Sequence, residues 1–493
     1  MRHNKHGGAR RVPTRPTGLP VDVGQSIVTD IVGLTHEGEG VGRVDGYTLF
    51  VSQALPGDKV RANVVSVGKS FGRARMTALL EPSPDRRGAP CPIFDACGGC
   101  QLQHWDYAAQ LRWKRQHVAD NLARIGKLPI APLDGGAAAG DGAQASDGRP
   151  PVVVHPIIGM DEPWRYRNKA QVPIGTGEGG LVGGFYEQGS HDIVDMEACL
   201  IQQQENEDTV RVVKTIARSL GFSAYDRTTG RGLLRHVIVR HAQATGERMV
   251  VFVTNGRDLP HRDELVGLIR EQVPGVTSIC QNVNTAASSL VFGEETIALW
   301  GSDVIYDEIG DIRFAISARS FFQVNPMQTE RLYNSAVQYA GLTGEETVVD
   351  AYCGIGTITL FLARHVRRVY GVEIVPEAID DARRNAQLND IRNAEFAVGP
   401  AEVILPRWQA EGVTPDVIVV DPPRKGCDPA LLETMLQLKP QRIVYVSCNP
   451  STLARDLRVL EDGGYRTVEV QPVDMFPHTV HVECVVGICR VDT

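Results

Sequence analysis

The chain has 493 residues, 42% of them hydrophobic and 22% charged, with a formal net charge of −8. That length exceeds what one core supports, so two to four domains are expected. No run of about 18 apolar residues could span a membrane, and the acidic total excludes a chain that is basic throughout. The cations are nevertheless crowded toward one end. Residues 1–20 hold five Arg or Lys and no acid, and Lys69, Arg73, Arg75, Arg86, Arg87, Arg112, Lys114 and Arg115 follow. Such a half can bind phosphates although the whole is acidic, or it can be a solvated basic surface.

Met1 to His6 have no apolar stretch behind them, so no signal peptide is read there, and a cytoplasmic monomer with no membrane partner is expected. Residues 1–20, rich in Gly, Pro and Arg, read as a disordered tail. Between 21 and 82, short apolar runs at 25–32, 42–44, 48–51, 59–67 and 73–80 are broken by glycine, which predicts a small β-barrel of the OB type. Residues 83–310 read as an α+β middle domain. It opens with Cys91, Cys97 and Cys100 in a C-x5-C-G-G-C run, joined in sequence much later by Cys199. Three thiols in ten residues, with glycines that allow a tight wrap, are a metal signal, and four sulfurs suit zinc or an iron–sulfur cluster. A helix is expected over 105–124, a flexible low-complexity loop over 133–151, and strands at 236–240, 249–254 and 278–282.

From 311 to 493, apolar strands alternate with amphipathic helices, with strands at 347–350, 369–372, 417–420 and 442–446. This predicts a Rossmann-like parallel α/β sheet with helices on both faces. Val348-Val349-Asp350-Ala351-Tyr352-Cys353-Gly354-Ile355-Gly356-Thr357 is a strand, a glycine turn and a helix start, where small residues let backbone approach a ligand. Glu373 ends the next strand about 20 residues on, where an acid suits a ribose diol. The turn is not the full GxGxxG, and no P-loop lysine follows it, so S-adenosylmethionine is favoured over a dinucleotide or ATP.

Asp421-Pro422-Pro423-Arg424 ends a strand and stiffens the loop at the sheet's ligand-binding edge. A turn with a solvated Asp is the plainer alternative. Cys448 stands where a strand gives way to a helix, and a helix N-terminus favours a thiolate; a buried inert cysteine is its alternative. Glu483 lies in the apolar run His481-Val482-Glu483-Cys484-Val485-Val486, where a half-buried carboxylate needs a partner or a task.

Together with Phe321-Phe322-Gln323-Val324-Asn325, these motifs resemble the RNA uracil-C5 methyltransferases that use S-adenosylmethionine. The resemblance implies that Gln323, Tyr352, Glu373 and Asp421 bind the donor, that Cys448 is the nucleophile and that Glu483 is the base. Thr357 stands where some members have Asn. The Tyr-Cys-Gly-Ile-Gly-Thr form looks like the Gram-positive ribosomal RNA enzymes. Iron–sulfur members carry the same C-x5-C-G-G-C run with a distant fourth Cys, which implies a [4Fe–4S] cluster on Cys91, Cys97, Cys100 and Cys199. The barrel resembles a TRAM domain through Val41-Gly42-Arg43 and Ala54-Leu55-Pro56-Gly57-Asp58, and Tyr166-Arg167-Asn168-Lys169-Ala170-Gln171 is also similar to a family stretch.

The expected reaction is methylation of C5 of a uridine in 23S ribosomal RNA, giving 5-methyluridine. Transfer RNA is the alternative substrate. A non-catalytic, RNA-binding or redox-sensing protein of the same fold is a reading from another class. Cytosine methylation is disfavoured by Arg424, which stands where that chemistry wants a second thiol.

Overall fold

The computed structural model describes residues 18–133 and 150–491; the expected tail, apart from its last three residues, and most of the low-complexity insert lie outside them. The described residues divide into two compact units, 18–88 with 101–106 and 89–100 with 107–491.

The first unit is a closed barrel of β1 (Ser26–Leu34), β2 (Gly40–Val44), β3 (Tyr47–Ser52), β4 (Lys59–Val67) and β5 (Phe71–Glu81), ordered β1-β2-β3-β5-β4. Its strands alternate over most of their length. Tyr47, Leu49 and Val51 of β3 and Val60, Ala62 and Val64 of β4 fill the interior, as a pleat of period two requires. Buried Asp58 accepts from the backbone N–H groups of Leu55 and Ser83 and from the Arg86 guanidinium, so the segment leaving the barrel is tied back to it.

The second unit opens with the cysteine loop and α1 (Tyr107–Arg124), then β6 (Val153–Val154). A seven-stranded sheet follows, of β7 (Lys169–Gly177), β8 (Gly180–Tyr186), β9 (Ile193–Asp195), β10 (Leu234–His241), β11 (Arg248–Thr254), β12 (Val276–Val283) and β13 (Glu295–Gly301). α2 (Gln204–Ser219) and α3 (Arg262–Gln272) pack on one face of it through Val210, Val213, Leu265 and Ile269. The hairpin β14 (Val304–Ile309) and β15 (Ile312–Ser317) comes next, then α4 (Pro326–Ala340).

The rest of the unit is β16 (Thr347–Ala351), α5 (Thr357–Ala363), β17 (Arg368–Glu373), α6 (Pro376–Leu388), β18 (Ala394–Val398), α7 (Ala401–Ala410), β19 (Val417–Val420), α8 (Pro429–Leu438), β20 (Arg442–Ser447), α9 (Pro450–Asp462), β21 (Tyr465–Val473) and β22 (Glu483–Arg490). Its sheet runs β18-β17-β16-β19-β20-β22-β21-β6. The five strands β16–β20 are parallel, as expected, but β22 runs antiparallel to both β20 and β21. The short return through 474–482 carries no helix that could cross over the sheet, and a direct return makes neighbours antiparallel.

Alternate residues of each strand enter two cores. Val348, Val369, Val419, Val444 and Val485 face α4 and α5; Val349, Tyr370, Ile418, Tyr445 and Val486 face α1, α8 and α9. β6 adds a parallel pair to the outer strand β21, and Val118, Ala119 and Leu122 of α1 are buried in the second core. The order reverses beside β16, between β17 and β19, which opens a crevice at the C-terminal ends of the parallel strands.

Candidate active site

The motif residues line up along that edge in the spatial order of the strands. Glu373 ends β17, Tyr352 follows β16, Asp421 follows β19, Cys448 follows β20 and Glu483 begins β22. Ser447 pairs with Cys484 across β20 and β22. Continuing that register by one step sets Cys448 opposite Glu483, and side chains so paired share one face of the sheet. Cys448 is half-buried and Glu483 is buried.

The electrostatics tie these groups together. Burial pushes the Cys448 thiol up to about 12, the nearby carboxyls of Glu483 and Asp421 add to the shift, and the Arg424 guanidinium opposes it. Burial and Asp421 likewise raise Glu483 well above the usual carboxylate range, again against Arg424. Burial raises Asp421 to about 7. The resting cysteine is therefore a thiol, contrary to the expectation of a thiolate. The reason is local. α9 begins only at Pro450, its cap Asn449 takes the Ser451 N–H at 3.0 Å, and two carboxyls lie in reach of the sulfur. The loop carrying Arg424 is stapled to α9: Asn449 Nδ2 and Thr452 Oγ1 donate to the Arg424 carbonyl, and Arg455 donates to that of Lys425.

On the other side of the crevice, Tyr352 has φ +66°, a left-handed conformation that a side chain adopts only where its surroundings enforce it. Its hydroxyl accepts the N–H of Asp428 at 3.2 Å. Gly354 and Gly356 follow with φ +54° and +83°, and a Cβ on Gly354 would meet nothing within 4 Å, so the turn is open toward the crevice. The Glu373 carboxylate accepts from Gly354 N–H at 3.3 Å and from its own next residue, Ile374, at 2.7 Å. Gln323 lies just before α4, and its carbonyl accepts from Asn168. Thr357 accepts the Tyr333 hydroxyl at 3.1 Å.

Two residues that the sequence reading did not single out as site residues belong to the site. Asp350 is fully buried in β16. One oxygen accepts from Thr359 at 2.5 Å, the other has no hydrogen-bond partner among the described residues, and burial raises the carboxyl to about 7. Tyr333 of α4 lies in the field of Asp421, Asp350 and Glu483. An acid inside an all-apolar strand was the available signal for Asp350; nothing local marked Tyr333.

The segment 474–482 delivers Glu483 and is gripped from three elements. Buried Asp474 accepts from Lys114 Nζ at 2.6 Å and from the Tyr107 hydroxyl at 2.8 Å, both on α1, and Lys114 also reaches the Phe476 carbonyl. Asn325, which caps α4, and Gln328 within it donate to the carbonyls of Met475 and Asp474. The Tyr166 hydroxyl donates to the Pro477 carbonyl, and Trp164 stacks on His478 with centroids 3.7 Å apart.

Behind Trp164 and Tyr166 stand Cys100 and Cys199, packed with Met160 and Ile201. Cys199 lies in the electrostatic reach of Cys91 and Cys97, and burial raises it to about 11. Cys97 Sγ accepts the Gly99 N–H at 3.3 Å. Among the described residues, however, no group of three or more Cys, His, Asp or Glu side chains is arranged to hold a metal ion. The expected four-sulfur centre is thus present as a neighbourhood of donors, not as a formed coordination shell.

Among the described residues no helix is long and apolar enough to cross a membrane. Residues 304–491 match the family described as tRNA (Uracil-5-)-methyltransferase, and residues 20–77 match the TRAM domain. An uncharacterised RNA methyltransferase of Halalkalibacterium halodurans is 57% identical over 466 residues, 94% of this chain and 97% of that protein. One from Bacillus cereus is 54% identical over 473 residues, 96% and 98% of the respective chains. The Pyrococcus abyssi tRNA (uracil-54, C5)-methyltransferase, crystallised with S-adenosyl-L-homocysteine, is similar with a TM-score of 0.71 at 28% identity, covering 94% of this chain and 100% of that one.

Proposed function

The chain belongs to the RNA uracil-C5 methyltransferase family, and from that premise we propose that it methylates C5 of a specific uridine in 23S ribosomal RNA, with Cys448 as nucleophile and Glu483 as base. The observation that carries the reading is the meeting of Cys448, Glu483, Asp421 and Arg424 at one sheet edge.

S-adenosylmethionine, when bound, supplies an electrophilic methyl group on sulfonium. Gln323, Tyr352, Glu373 and Asp421 would hold it beside the open glycine turn, and the unpartnered oxygen of Asp350 suits a cation there. Uracil C5 is a poor nucleophile, so Cys448 must first act. Its sulfur, with its proton passed to solvent, bonds to C6, and the C5–C6 π pair moves into the C5–C4–O4 enolate. Arg424 offsets the carboxylates that oppose this ionisation. C5 then takes the methyl group. Glu483, as carboxylate, removes the C5 proton, the C5–C6 double bond re-forms and the Cys448–C6 bond breaks, which returns the thiolate. The target base must leave its stack to reach this edge.

The TRAM-like barrel and the cysteine run support ribosomal RNA through the resemblance; the likeness to a transfer RNA enzyme favours transfer RNA as the second reading. Labelled donor incubated separately with unmodified 23S ribosomal RNA and transfer RNA, followed by nucleoside analysis, decides between them. 5-Methyluridine in ribosomal RNA alone is expected. Its appearance only in transfer RNA overturns the substrate, and its absence from both returns the RNA-binding reading. On 5-fluorouracil-substituted RNA a covalent band should form and vanish in Cys448→Ala.

The four cysteines fit a [4Fe–4S] cluster by donor chemistry, with Cys91, Cys97, Cys100 and Cys199 as ligands in a structural role. Iron and sulfide in anaerobically purified protein are expected; zinc without iron would refute the assignment.

A further inference from the structure

The segment that enters β7 carries a row of side chains that the reaction above leaves unused. From Tyr166 to Val172 burial alternates residue by residue, with Arg167, Lys169 and Gln171 half-buried and Tyr166, Asn168, Ala170 and Val172 buried. Alternation of this kind places the odd-numbered side chains on one face. The register of β7 with β10 sets Arg240 directly opposite Lys169, on that same face. Arg240 is buried and fixed, its guanidinium donating to the carbonyls of Ala318 and Ser320 at 3.2 and 2.6 Å. The Lys169 ammonium has neither a hydrogen bond nor an ion pair among the described residues. The charged groups that act on it are Arg240 and Arg167, both cations, and burial together with these two pushes its ammonium down to about 7.

Two cations facing each other across an antiparallel pair with no carboxylate in reach destabilise a fold. The arrangement makes sense if an anion arrives from outside. Its position says which one. Asn168 binds the segment that carries Gln323, through its N–H to the Val324 carbonyl at 2.9 Å and its side chain to the Gln323 carbonyl at 3.1 Å. On the other side, the field of Arg167 reaches His481, two residues before Glu483. The row therefore lies between the segment of Gln323 and the stretch that delivers Glu483, whereas Tyr352 and Glu373 stand at the ends of β16 and β17, on the far side of β19.

We propose that the Lys169 ammonium, flanked by Arg167 and Arg240, binds one phosphodiester of the RNA substrate adjoining the uridine presented to Cys448. This rests on the RNA-methylating function proposed above. A backbone phosphate keeps its charge at every working pH, and neutralising it releases counterions, so the contact is readable in the salt dependence of binding.

The test compares the full chain with Lys169→Met and Lys169→Arg. Affinities for unmodified 23S ribosomal RNA and transfer RNA transcripts are measured between 50 and 200 mM salt, and affinity for S-adenosylmethionine is measured separately. Removing an unpaired, recessed charge should raise thermal stability, so weaker binding would not reflect unfolding. Lys169→Met is expected to weaken binding of the methylated RNA about tenfold and to reduce the slope of log K against log salt by roughly 0.7–0.9. Donor affinity should be retained, and Lys169→Arg should keep most of the RNA affinity. An unchanged RNA affinity and slope in Lys169→Met, with the parent chain still methylating RNA, overturns this inference alone. Lost donor affinity with RNA affinity intact would give the site to the donor's carboxylate instead. A parent chain that binds neither RNA overturns both this inference and the function beneath it.

Discussion

Asp350 and Asp421, raised to about 7 chiefly by burial, make the crevice sensitive to pH in two opposite ways. A sulfonium nearby favours the carboxylate, so donor binding should release protons, and donor affinity should rise from pH 6 to 8 and then level off. Calorimetry in two buffers of different ionisation enthalpy reads the protons released; Asp350→Asn should remove part of them. Without donor, the folded chain holds protons that the unfolded chain gives up near pH 4. Stability contributed by these acids is complete below about pH 4 and is lost as pH rises through 7. The urea midpoint should accordingly be lower at pH 8 than at pH 5. Glu483→Gln separates the two chemical roles. It leaves the sulfur free to attack but removes the proton acceptor, so turnover should fall by about 10²–10⁴, while an adduct with ordinary uridine RNA accumulates on a denaturing gel. The motif residues on this edge were legible in the sequence because each ends or begins an apolar strand. The protonation of Cys448 was not, because it depends first on burial and then on Glu483 and Asp421, all of which only the fold supplies.

At the scale of elements, the grip on 474–482 decides how firmly Glu483 is held. Lys114 and Asp474 are both fully buried and 2.6 Å apart. Lys114→Met strands the Asp474 carboxylate in the interior and should cost about 3–5 kcal/mol, whereas a double Lys114→Met, Asp474→Leu variant should recover much of it. Urea denaturation of the four proteins of that cycle measures both effects. The pair illustrates where sequence reading stops. Strands β16, β17, β19 and β20 and the barrel announce themselves by apolar runs and period-two alternation, and their predicted and observed limits differ by at most two residues, whereas β18, half exposed along its length, was not read from the sequence. Lys114 and Asp474 lie 360 positions apart, and neither neighbourhood hints at the other. The two-residue strand β6 and the antiparallel entry of β22 were hidden for the same reason, since partner and direction are long-range properties.

At the scale of the whole molecule, the sheet that carries the donor crevice is built from more than the stretch that matches the methyltransferase family. A fragment restricted to 304–491 lacks α1 and β6, which cover the face formed by Ile443, Tyr445, Leu457 and Val470. It should bind a hydrophobic dye and aggregate, and it should fail to bind donor; restoring 107–303 should reverse all three, by fluorescence, light scattering and calorimetry. The pairing of β6 with β21 also carries a consequence in time. His155 and its partner Glu469 are 314 residues apart, and a ribosome adds roughly 5–20 residues each second. On that scale, α1 and β6 leave the ribosome about 15–60 s before the strand that completes their shelter. During that interval Val118, Leu122 and Val152 are apolar surface with no place to go, so the nascent chain should be a client of chaperones that hold early segments, and its catalytic edge should come into being only with the last strands made.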